Sequence, residues 1–249
     1  MTPELQKTGR IGLLVPSSNT TVEAEFYRAL PRGVTVHAAR LFLTRIAPES
    51  ILKMVEDMET QAKLLATADV DVIVLGATAP SFLKGLGYDR ELIAKIEAAT
   101  GRSATTTSTA LVQAIQHLGA RRVALGSAYD EKVNAIAKAF LEASGIEVVD
   151  VKGLALVDNL VVGRLGPDSA YKLALGLEHS KADAIVLSCT NWQTLDAIER
   201  IERETGKPVI STSQASIWAA LRMLDYRHGI EGYGKLLREL APAGQTQTA

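Results

Sequence analysis

Short apolar runs alternate with longer amphipathic stretches along the whole chain. The clearest run, residues 182–192 (ADAIVLSCTNW), ends in a polar tip that carries the only cysteine, Cys189. Apolar runs without polar alternation are typical of strands buried on both faces of a parallel sheet. Residues 50–66, by contrast, repeat their apolar positions at helical spacing. This alternation predicts an α/β fold with parallel strands and helices on both faces of the sheets.

The predicted strands and helices follow one another in order. The strands are 10–15, 34–43, 72–75, a short one ending at 105–107, 121–126, 146–151, 185–187 and 209–211. The helices begin near Val22 and continue with 50–66, 90–99, 108–118, 130–143, 167–178, 194–204 and 215–223. We expect Ser18, Asn19 or Thr20 to cap the first helix, and we expect Ser108 to cap the helix that ends at residue 118. The tail from residue 241 is expected to be frayed.

The chain contains an internal repeat. Residues 70–80 (VDVIVLGATAP) match residues 182–192 at an offset of 112, and residues 100–108 match 205–213 at an offset of 105. Two similar series of strands and helices therefore follow one another. We expect two pseudo-symmetric, Rossmann-like (flavodoxin-like) halves with parallel sheets.

The boundaries of these halves follow from the repeat. The N-terminal half is expected to comprise residues 1–116 with the C-terminal helices in 214–249, and the second half residues 117–213. Ligands of such sheets bind outside the carboxyl ends of the strands. If the halves face each other, an active-site cleft lies between them. Four strand tips then converge on it, at residues 16–19, 77–80, 127–129 and 189–191.

Composition excludes several classes of function. The chain has 249 residues and a net charge of −1, so no broad basic field indicates nucleic acid or a membrane surface as a partner. No apolar run approaches the roughly 20 residues of a membrane span, and the first ten residues do not resemble a signal peptide. One cysteine excludes an internal disulfide and fits a cytoplasmic location. Four scattered histidines argue against a zinc site, and motifs for nucleotide binding or a serine triad are absent.

Cys189 is the first candidate for chemistry. Its counterpart in the repeat is Ala77, so one sulfur faces an alanine in an otherwise repeated motif. Free cysteines are commonly buried core residues, which is the ordinary alternative. The position at a strand end, before Thr190 and Asn191, favours function instead. A thiol with a near-neutral pKa, close to backbone N–H groups, can give a proton to carbon or take one from it.

Hydroxyl groups around the predicted tips form a second set of candidates. Thr78 and Tyr129 favour function, because neutral donors suit a carboxylate whose charge spreads during reaction. Ser108 and Ser213 are more typical of helix caps. Arg45 is a candidate anchor for a second carboxylate, although a solvated loop arginine is the more common case. The other hydroxyls are Ser127, Thr190, Thr107 and Thr212, and no role is assigned to Glu23, Glu25, Arg121 or Arg122.

Several stretches resemble the Asp/Glu racemase superfamily, in the branch that holds arylmalonate decarboxylase and maleate cis-trans isomerase. The resemblance runs from Ile11 to about Leu237. SFLKG (81–85), ATGRSATTTSTAL (99–111), LGARRVALGSAYDEKVN (118–134), LSCTNWQTLDAI (187–198) and GKPVISTS (206–213) resemble arylmalonate decarboxylase, whereas VPSSNTTVEAE (15–25) resembles maleate isomerase.

The resemblance implies a mechanism. Racemases and isomerases of the superfamily use two cysteines, whereas the decarboxylase keeps the second one and has a small residue followed by threonine at the first position. Ala77-Thr78 and Cys189 match the decarboxylase. The implied activity is that of a lyase, a cofactor-independent decarboxylase of a substituted malonate or similar small dicarboxylic acid. An enediolate forms, and Cys189 protonates it stereospecifically.

The resemblance also implies the substrate contacts. Thr78 and Tyr129, with the backbone N–H groups of Ala79, Cys189 and Thr190, would hold the surviving carboxylate. The departing carboxylate would be crowded by apolar side chains. These are Pro16, Leu43, Ile46 and Val162.

The sequence departs from the decarboxylase pattern at three places. Ala79 replaces a serine, Asn159 stands at an expected apolar position, and Asn19 is an isomerase-like feature. The cleft is therefore expected to suit a small dicarboxylate rather than an aryl group. Two alternatives stay open: a maleate isomerase-like or racemase-like isomerase, and a non-catalytic binding protein for a small carboxylate. The partner expected is a small carboxylic acid, with no cofactor or metal, and the chain is expected to be a monomer or homodimer.

Overall fold

The strands form two parallel four-stranded sheets. The structure is a computed structural model that describes residues 9–43, 45 and 47–240. The strands described are β1 (Gly9–Pro16), β2 (Val34–Leu41), β3 (Val72–Leu75), β4 (Ser103–Thr106), β5 (Arg122–Ser127), β6 (Glu147–Gly153), β7 (Ala184–Ser188) and β8 (Val209–Ser211). Their order is β2-β1-β3-β4 in one sheet and β6-β5-β7-β8 in the other. The predicted α/β class and the parallel sheets are confirmed.

Helices connect the strands in each sheet, as parallel pairing requires. They are α1 (Val22–Ala29), α2 (Pro48–Glu56), α3 (Met58–Ala66), α4 (Thr78–Phe82), α5 (Tyr88–Thr100), α6 (Thr107–His117), α7 (Glu131–Ala143), α8 (Asn159–Gly163), α9 (Pro167–Gly176), α10 (Leu195–Thr205), α11 (Thr212–Met223) and α12 (Lys235–Arg238). Among those described, no helix combines the length and the hydropathy of a membrane span.

The inner strands explain the unbroken apolar runs of the sequence. Every residue of β3 and of β7 is buried, because each strand has a neighbouring strand on both edges and helices on both faces. Burial of such strands is the main stabilising contribution of the fold, at about 25 cal/mol for each Å² of apolar surface removed from water. Both strands end at the same kind of polar loop, which begins with Gly76 in one sheet and Cys189 in the other.

The hydrogen bonds repeat with the sequence. The Asp71 amide donates to Arg10 O at 2.8 Å, and 112 residues later the Asp183 amide donates to Arg122 O at 2.7 Å. The carboxylate of each aspartate accepts from the amide of the same arginine, at 2.8 and 2.9 Å. Each aspartate therefore closes the start of an inner strand pair in the same way.

The repeat at an offset of 105 residues is visible at the ends of α5 and α10. Thr100 Oγ1 donates to Ile96 O at 2.7 Å, and Thr205 Oγ1 donates to Ile201 O at 2.8 Å. The glycine that follows each threonine ends its helix in the left-handed conformation, with φ of 67° and 66°. Glycine adopts this conformation without steric cost, which explains why Thr-Gly recurs 105 residues later.

Three local predictions are wrong. The helix predicted at 50–66 is two helices, α2 and α3, which separate at Asp57 because its ψ of 1° leaves the helical range. Strand β2 ends at Leu41 rather than at residue 43. Ser108 is not a cap, because Thr106 Oγ1 accepts from the Thr109 amide at the start of α6 and Ser108 lies inside the helix.

Other short elements were not predicted. Helices α4, α8 and α12 have only five, five and four residues, too few to show an apolar period. The tail from residue 241 lies outside the described residues. Helix α11 packs against strands of both sheets, namely β3, β4, β7 and β8, so the assignment of 214–249 to the N-terminal half stays a prediction.

Candidate active site

A cavity lies at the carboxyl ends of β1, β3 and β7, with an empty volume of about 360 Å³ that includes open solvent. Residues from both sheets line it, as the convergence of the strand tips predicts. Ten of the predicted site residues are among them: Pro16, Asn19, Leu43, Ala77, Thr78, Ala79, Tyr129, Asn159, Cys189 and Thr190. Val162 is fully buried in α8 and does not line the cavity. Ile46 lies outside the described residues.

Cys189 directly follows the buried strand β7 and is itself 5% exposed. Its φ of 156° is one that residues other than glycine seldom adopt. Burial raises the pKa of the thiol to about 11, and the amides of Asn191 and Trp192 and the Tyr129 hydroxyl only partly oppose this effect. The expected near-neutral pKa is therefore wrong. The thiol keeps its proton at neutral pH, which makes it a proton donor rather than a ready nucleophile.

Tyr129 and Thr78 place two hydroxyl groups beside this thiol. Burial raises the pKa of Tyr129 well above its usual value, so the phenol stays protonated, and it faces Thr78, Cys189 and Ser188. Thr78 Oγ1 is buried and has no aligned hydrogen bond among the described residues. An unsatisfied buried hydroxyl costs roughly 1–3 kcal/mol, so a ligand that accepts from Thr78 Oγ1 gains a favourable contact.

The first sheet contributes the alanine side of the cavity. Ala77 is the residue before α4 and presents only a methyl group. Ala79 lies in the first turn of α4, where a helix leaves amide N–H groups without intrahelical acceptors. This turn therefore provides a backbone donor near Thr78, and the role of the Ala79 amide stays a prediction.

Two other predicted donors are already used within the protein. The Cys189 amide donates to Thr212 Oγ1 at 3.2 Å, and its predicted contact with a substrate carboxylate stays a prediction. Thr190 Oγ1 donates to Gly76 O at 3.1 Å and accepts from Asn19 Nδ2 at 3.2 Å. The Thr190 hydroxyl thus joins the two strand-end loops, and only the predicted role of its amide stays open.

Asn19 has a capping role in addition to its place in the cavity. Its Oδ1 accepts from the amides of Thr21 and Val22, at 2.9 and 3.0 Å, where α1 begins. Of the three residues predicted to cap this helix, Asn19 is the one that does so. Its carboxamide is therefore fixed from both sides, by α1 and by Thr190.

Asn191 connects the cysteine loop to the loop after β1 and to α8. Its Oδ1 accepts from the Thr20 amide at 2.9 Å, its backbone oxygen accepts from Thr21 Oγ1 at 2.9 Å, and its Nδ2 donates to Asn159 O at 2.6 Å. Asn159 Nδ2 in turn donates to Ser18 Oγ at 2.8 Å. These contacts hold both asparagines at the cavity, Asn159 from α8 and Asn191 from the cysteine loop.

The remaining predicted hydroxyls support the site from behind. Ser127 accepts from the Tyr129 amide at 3.0 Å, Thr107 donates to Leu75 O at 3.0 Å, and Ser108 donates to Thr78 O at 3.1 Å. Ser213 is not a cap either, because Ser211 caps α11. Arg45 is exposed and forms a backbone bridge with Asp158, and it does not line the cavity.

The comparisons with known proteins agree with this geometry. A sequence profile of the family described as arylmalonate decarboxylase matches residues 11–237. The chain belongs to this family. A maleate isomerase from Pseudomonas putida KT2440 is 32% identical over 241 residues, 92% of this chain and 96% of that enzyme. An arylmalonate decarboxylase from Bordetella bronchiseptica is 33% identical over 237 residues, 93% of this chain and 98% of that enzyme.

A solved structure of a maleate isomerase is also similar to this chain. It is a variant of the Nocardia farcinica maleate cis-trans isomerase with a covalently bound succinylcysteine intermediate. Its TM-score is 0.88 at 31% identity, and the match covers 93% of this chain and 98% of that chain. The resemblance found in the sequence and the fold class are thus confirmed, and the chain is a member of an enzyme family with small-molecule substrates. The named relatives divide between isomerase and decarboxylase.

Four residues that line the cavity in this member of the arylmalonate decarboxylase family were not among the predicted site residues. Pro80 and Asn191 lie within the predicted strand tips, so their position in the sequence could have identified them. Ile51 and Met54 come from α2, where their spacing is that of an ordinary core-facing helix stripe. Nothing in the sequence distinguishes them from core residues. Among the described residues, no cluster of three or more histidine, cysteine, aspartate or glutamate side chains is placed to hold a metal ion.

Proposed function

We propose that the protein is a cofactor-independent decarboxylase of a small substituted malonate or a similar dicarboxylic acid. The observation that carries the proposal is the unequal pair of strand-end residues in one cavity, Cys189 after β7 and Ala77 after β3. A racemase needs a proton-transferring group on both faces of the reacting carbon. Loss of CO2 followed by protonation needs such a group on one face only.

The reaction requires one proton donor. The bond between the α-carbon and the departing carboxylate breaks, and its electron pair is delocalised onto the remaining carboxylate as an enediolate. The S–H of Cys189 then gives its proton to the α-carbon, and the thiolate regains a proton from water. A thiol with a pKa of about 11 carries the proton at neutral pH and recovers it quickly after each turnover.

Neutral donors beside the thiol suit the enediolate. The Thr78 hydroxyl, the protonated Tyr129 phenol and the Ala79 amide lie around the same part of the cavity. Donors held in place before the reaction stabilise charge that develops in the transition state, and removal of one such donor typically costs 10²–10³ in rate, to order of magnitude. Thr78 and Tyr129 are therefore assigned to the surviving carboxylate.

The rest of the cavity favours a small, polar substrate. The carboxamides of Asn19 and Asn159 stand among the apolar side chains of Pro16, Leu43 and Met54. Each carboxamide NH2 has a second N–H besides the one that donates to Thr190 or Ser18, and a second carboxylate accepts from it whereas an aryl group does not. We therefore expect malonates with a short alkyl or carboxylate substituent to react better than arylmalonates.

Isomerisation of a small unsaturated dicarboxylate is the second candidate. Asn19 and Asn159 line the cavity, and maleate isomerases are similar to this chain over more than nine-tenths of its length. The variant of the Nocardia farcinica enzyme described above carries a covalently bound succinylcysteine intermediate. In this chain the only thiol is protonated at neutral pH, and Ala77 supplies no second one, which makes this reaction the less favoured of the two.

The test is a panel of malonates and maleate given to the wild-type protein and to the Cys189→Ala and Cys189→Ser variants. We expect CO2 release from at least one small malonate, with kcat lowered by about 10²–10⁴-fold in both variants because the proton donor is lost. Calorimetric binding of malonate to Cys189→Ala serves as the control for an intact cavity. Conversion of maleate to fumarate without CO2 release from any malonate would establish the isomerase instead. Binding without any turnover would indicate a carboxylate-binding protein.

A further inference from the structure

Glu25 is a charged residue that the fold buries almost completely. It lies on α1 with 2% of its surface exposed. Its Oε1 accepts from the amides of Thr194 and Leu195, at 2.9 and 3.1 Å. These amides begin α10, and the side chain of Thr194, the N-cap residue, makes no capping hydrogen bond. Glu25 thus provides from another part of the chain the acceptor that the first turn of α10 lacks.

This contact lies directly behind the cysteine loop. Thr194 is five residues after Cys189, and the segment between them is held to the start of α1 through Asn191. A shift of the first turn of α10 relative to α1 therefore moves the loop that carries the thiol. Among the described residues, the two hydrogen bonds of Glu25 are those that join α1 to the backbone of this turn.

We propose that Glu25 is a positioning residue for Cys189: its carboxylate holds the first turn of α10, and gain or loss of its negative charge changes the proton affinity of the thiol. The proposal rests on the proton-donor role proposed for Cys189. It concerns a side chain that does not line the cavity and that touches no substrate.

The surroundings of Glu25 allow this switch to operate near neutral pH. Burial raises the pKa of its carboxyl group from 4.5 to about 7, although the Ser213 hydroxyl, the two α10 amides and Arg28 favour the ionised form. Neither Glu25 Oε2 nor Ser213 Oγ has an aligned hydrogen bond. The Ser213 hydroxyl therefore has no competing acceptor and favours the carboxylate by donating to it.

The charged side chains around Glu25 on the neighbouring elements are paired with one another. Arg28 on α1 is paired with Asp196 on α10, and the Tyr233 hydroxyl donates to Arg28 O at 2.8 Å. On the β2 side of α1, Arg40 is paired with Glu23 at 2.7 Å. Toward β7 the facing group is Cys189, whose pKa the negative charge of Glu25 raises, and α11 contributes only the neutral Ser213.

The direction of the coupling follows from the sign of the charges. Below about pH 7 Glu25 is neutral, so it no longer opposes ionisation of Cys189 and its two hydrogen bonds to α10 lose their charge assistance. Above about pH 7 the carboxylate is charged, the first turn of α10 is held more strongly, and the thiol keeps its proton more tightly.

The single cysteine makes a direct test possible. Protein labelled with 13C at the cysteine β-carbon gives one signal, from Cys189. In the wild-type protein we expect a small step in its chemical shift near pH 7 and the thiol titration near pH 11. In Glu25→Gln we expect the first step to vanish and the thiol titration to move to lower pH, because the negative charge is gone. We also expect a step near pH 7 in kcat/KM of the wild-type protein, and this step should be absent from Glu25→Gln.

Glu202→Gln is the matched control. Glu202 also accepts from two backbone amides, those of Val209 and Lys235, and burial raises its pKa, but it lies at the other end of α10. We expect this variant to keep the step near pH 7. The proposal is overturned if Glu25→Gln keeps the step, or if Glu202→Gln loses it equally.

A second variant tests the proposal if Glu25→Gln does not fold. The Ser213 hydroxyl lowers the pKa of Glu25, so Ser213→Ala should move the step in the Cys189 signal to higher pH. An unmoved step contradicts the proposal. The NMR titration needs no turnover: a coupled titration without decarboxylation would support Glu25 and refute the proposed function, and decarboxylation without coupling would do the reverse.

Discussion

At the scale of single residues, burial determines the protonation states of Cys189 and Glu25. Cys189 and Glu25 are almost fully enclosed, and in both the charged form is disfavoured, so the pKa of each lies above its ordinary value. For Cys189 the consequence is a stable reservoir for one proton. For Glu25 it is a carboxyl group that changes charge in the range where enzymes usually work.

Glu25 is expected to make stability depend on pH. Its pKa rises from 4.5 to about 7 on folding, so between these values the unfolded chain loses the proton while the folded protein retains it. Stability therefore falls as the pH rises through this window, by on the order of 3 kcal/mol in total. Glu25→Gln does not ionise. Urea denaturation at pH 5 and pH 8 should show this variant gaining stability relative to wild type at the higher pH, and an equal difference at both values would contradict the prediction.

Tyr129 is expected to matter for rate more than for stability. Tyr129→Phe retains the edge-on ring contact with Phe82, at a centroid distance of 6.5 Å, but removes the hydroxyl that faces Thr78 and the thiol. We expect kcat to fall by about 10²-fold and the free energy of unfolding to change by about 1 kcal/mol. Steady-state kinetics and urea denaturation measure the two effects. Tyr171→Phe on α9, where the ring packs against Arg200, is the control.

Site residues could be predicted from the sequence where they lie at the ends of strands. They could not be predicted where their role depends on tertiary packing. Cys189 and Thr78 could be predicted because Cys189 directly follows one buried inner strand and Thr78 lies just after the other. Glu25 could not, because Glu23 and Glu25 near the start of a helix are typical of a solvated first turn. The amides that Glu25 accepts from come from residues about 170 positions later in the chain.

At the scale of elements, the repeat is maintained by hydrogen bonds at the ends of strands and helices. The carboxylate of Asp183 accepts from the amides of Arg121 and Arg122, as Asp71 does from Arg10 in the other sheet. Strands could be predicted from such boundaries because their burial is complete. The break between α2 and α3 could not, since both helices contribute apolar residues to one continuous stripe across Asp57.

Asp183→Asn tests this shared boundary. The Arg122 side chain and the two amides lower the pKa of Asp183 to about 2, so its contribution is present above pH 4 and is lost as the pH falls toward 2. The side chain is one-third exposed, so solvent screens the ion pair and we expect a loss of only about 1 kcal/mol at pH 7. Urea denaturation should show a similar loss for Asp71→Asn. A loss for Asp183→Asn that stays constant down to pH 3 would exclude the ionised carboxylate as its cause.

At the scale of the whole molecule, the cavity exists because loops from the two sheets are joined to each other. The Thr190 hydroxyl, from the loop after β7, donates to Gly76 O at the end of β3 and accepts from Asn19 after β1. Convergence of the strand tips could be predicted from topology. The sequence could not predict which side chains join the loops, because these contacts are between residues more than 100 positions apart.

Thr190→Val tests the importance of this junction. Valine has nearly the same shape but leaves Gly76 O and the Asn19 carboxamide without their partner, so we expect a loss of about 1–3 kcal/mol in the free energy of unfolding. KM for the substrate should rise as well, because Asn19 lines the cavity. Thr190→Ser retains the hydroxyl and should restore most of both. Equal losses in the two variants would indicate that the methyl group, and not the hydrogen bonds, is responsible.

The alanine at position 77 has a consequence that concerns the products. When a substrate carries two different groups on its α-carbon, the thiol yields one mirror-image acid, and any of the other must come from water that reaches the enediolate from the alanine side. The optical purity of the product therefore measures how well the cavity excludes water on the side of Ala77. Each tenfold excess of one mirror image corresponds to about 1.4 kcal/mol between the two barriers, so a polarimeter can report on the solvation of the Ala77 methyl group.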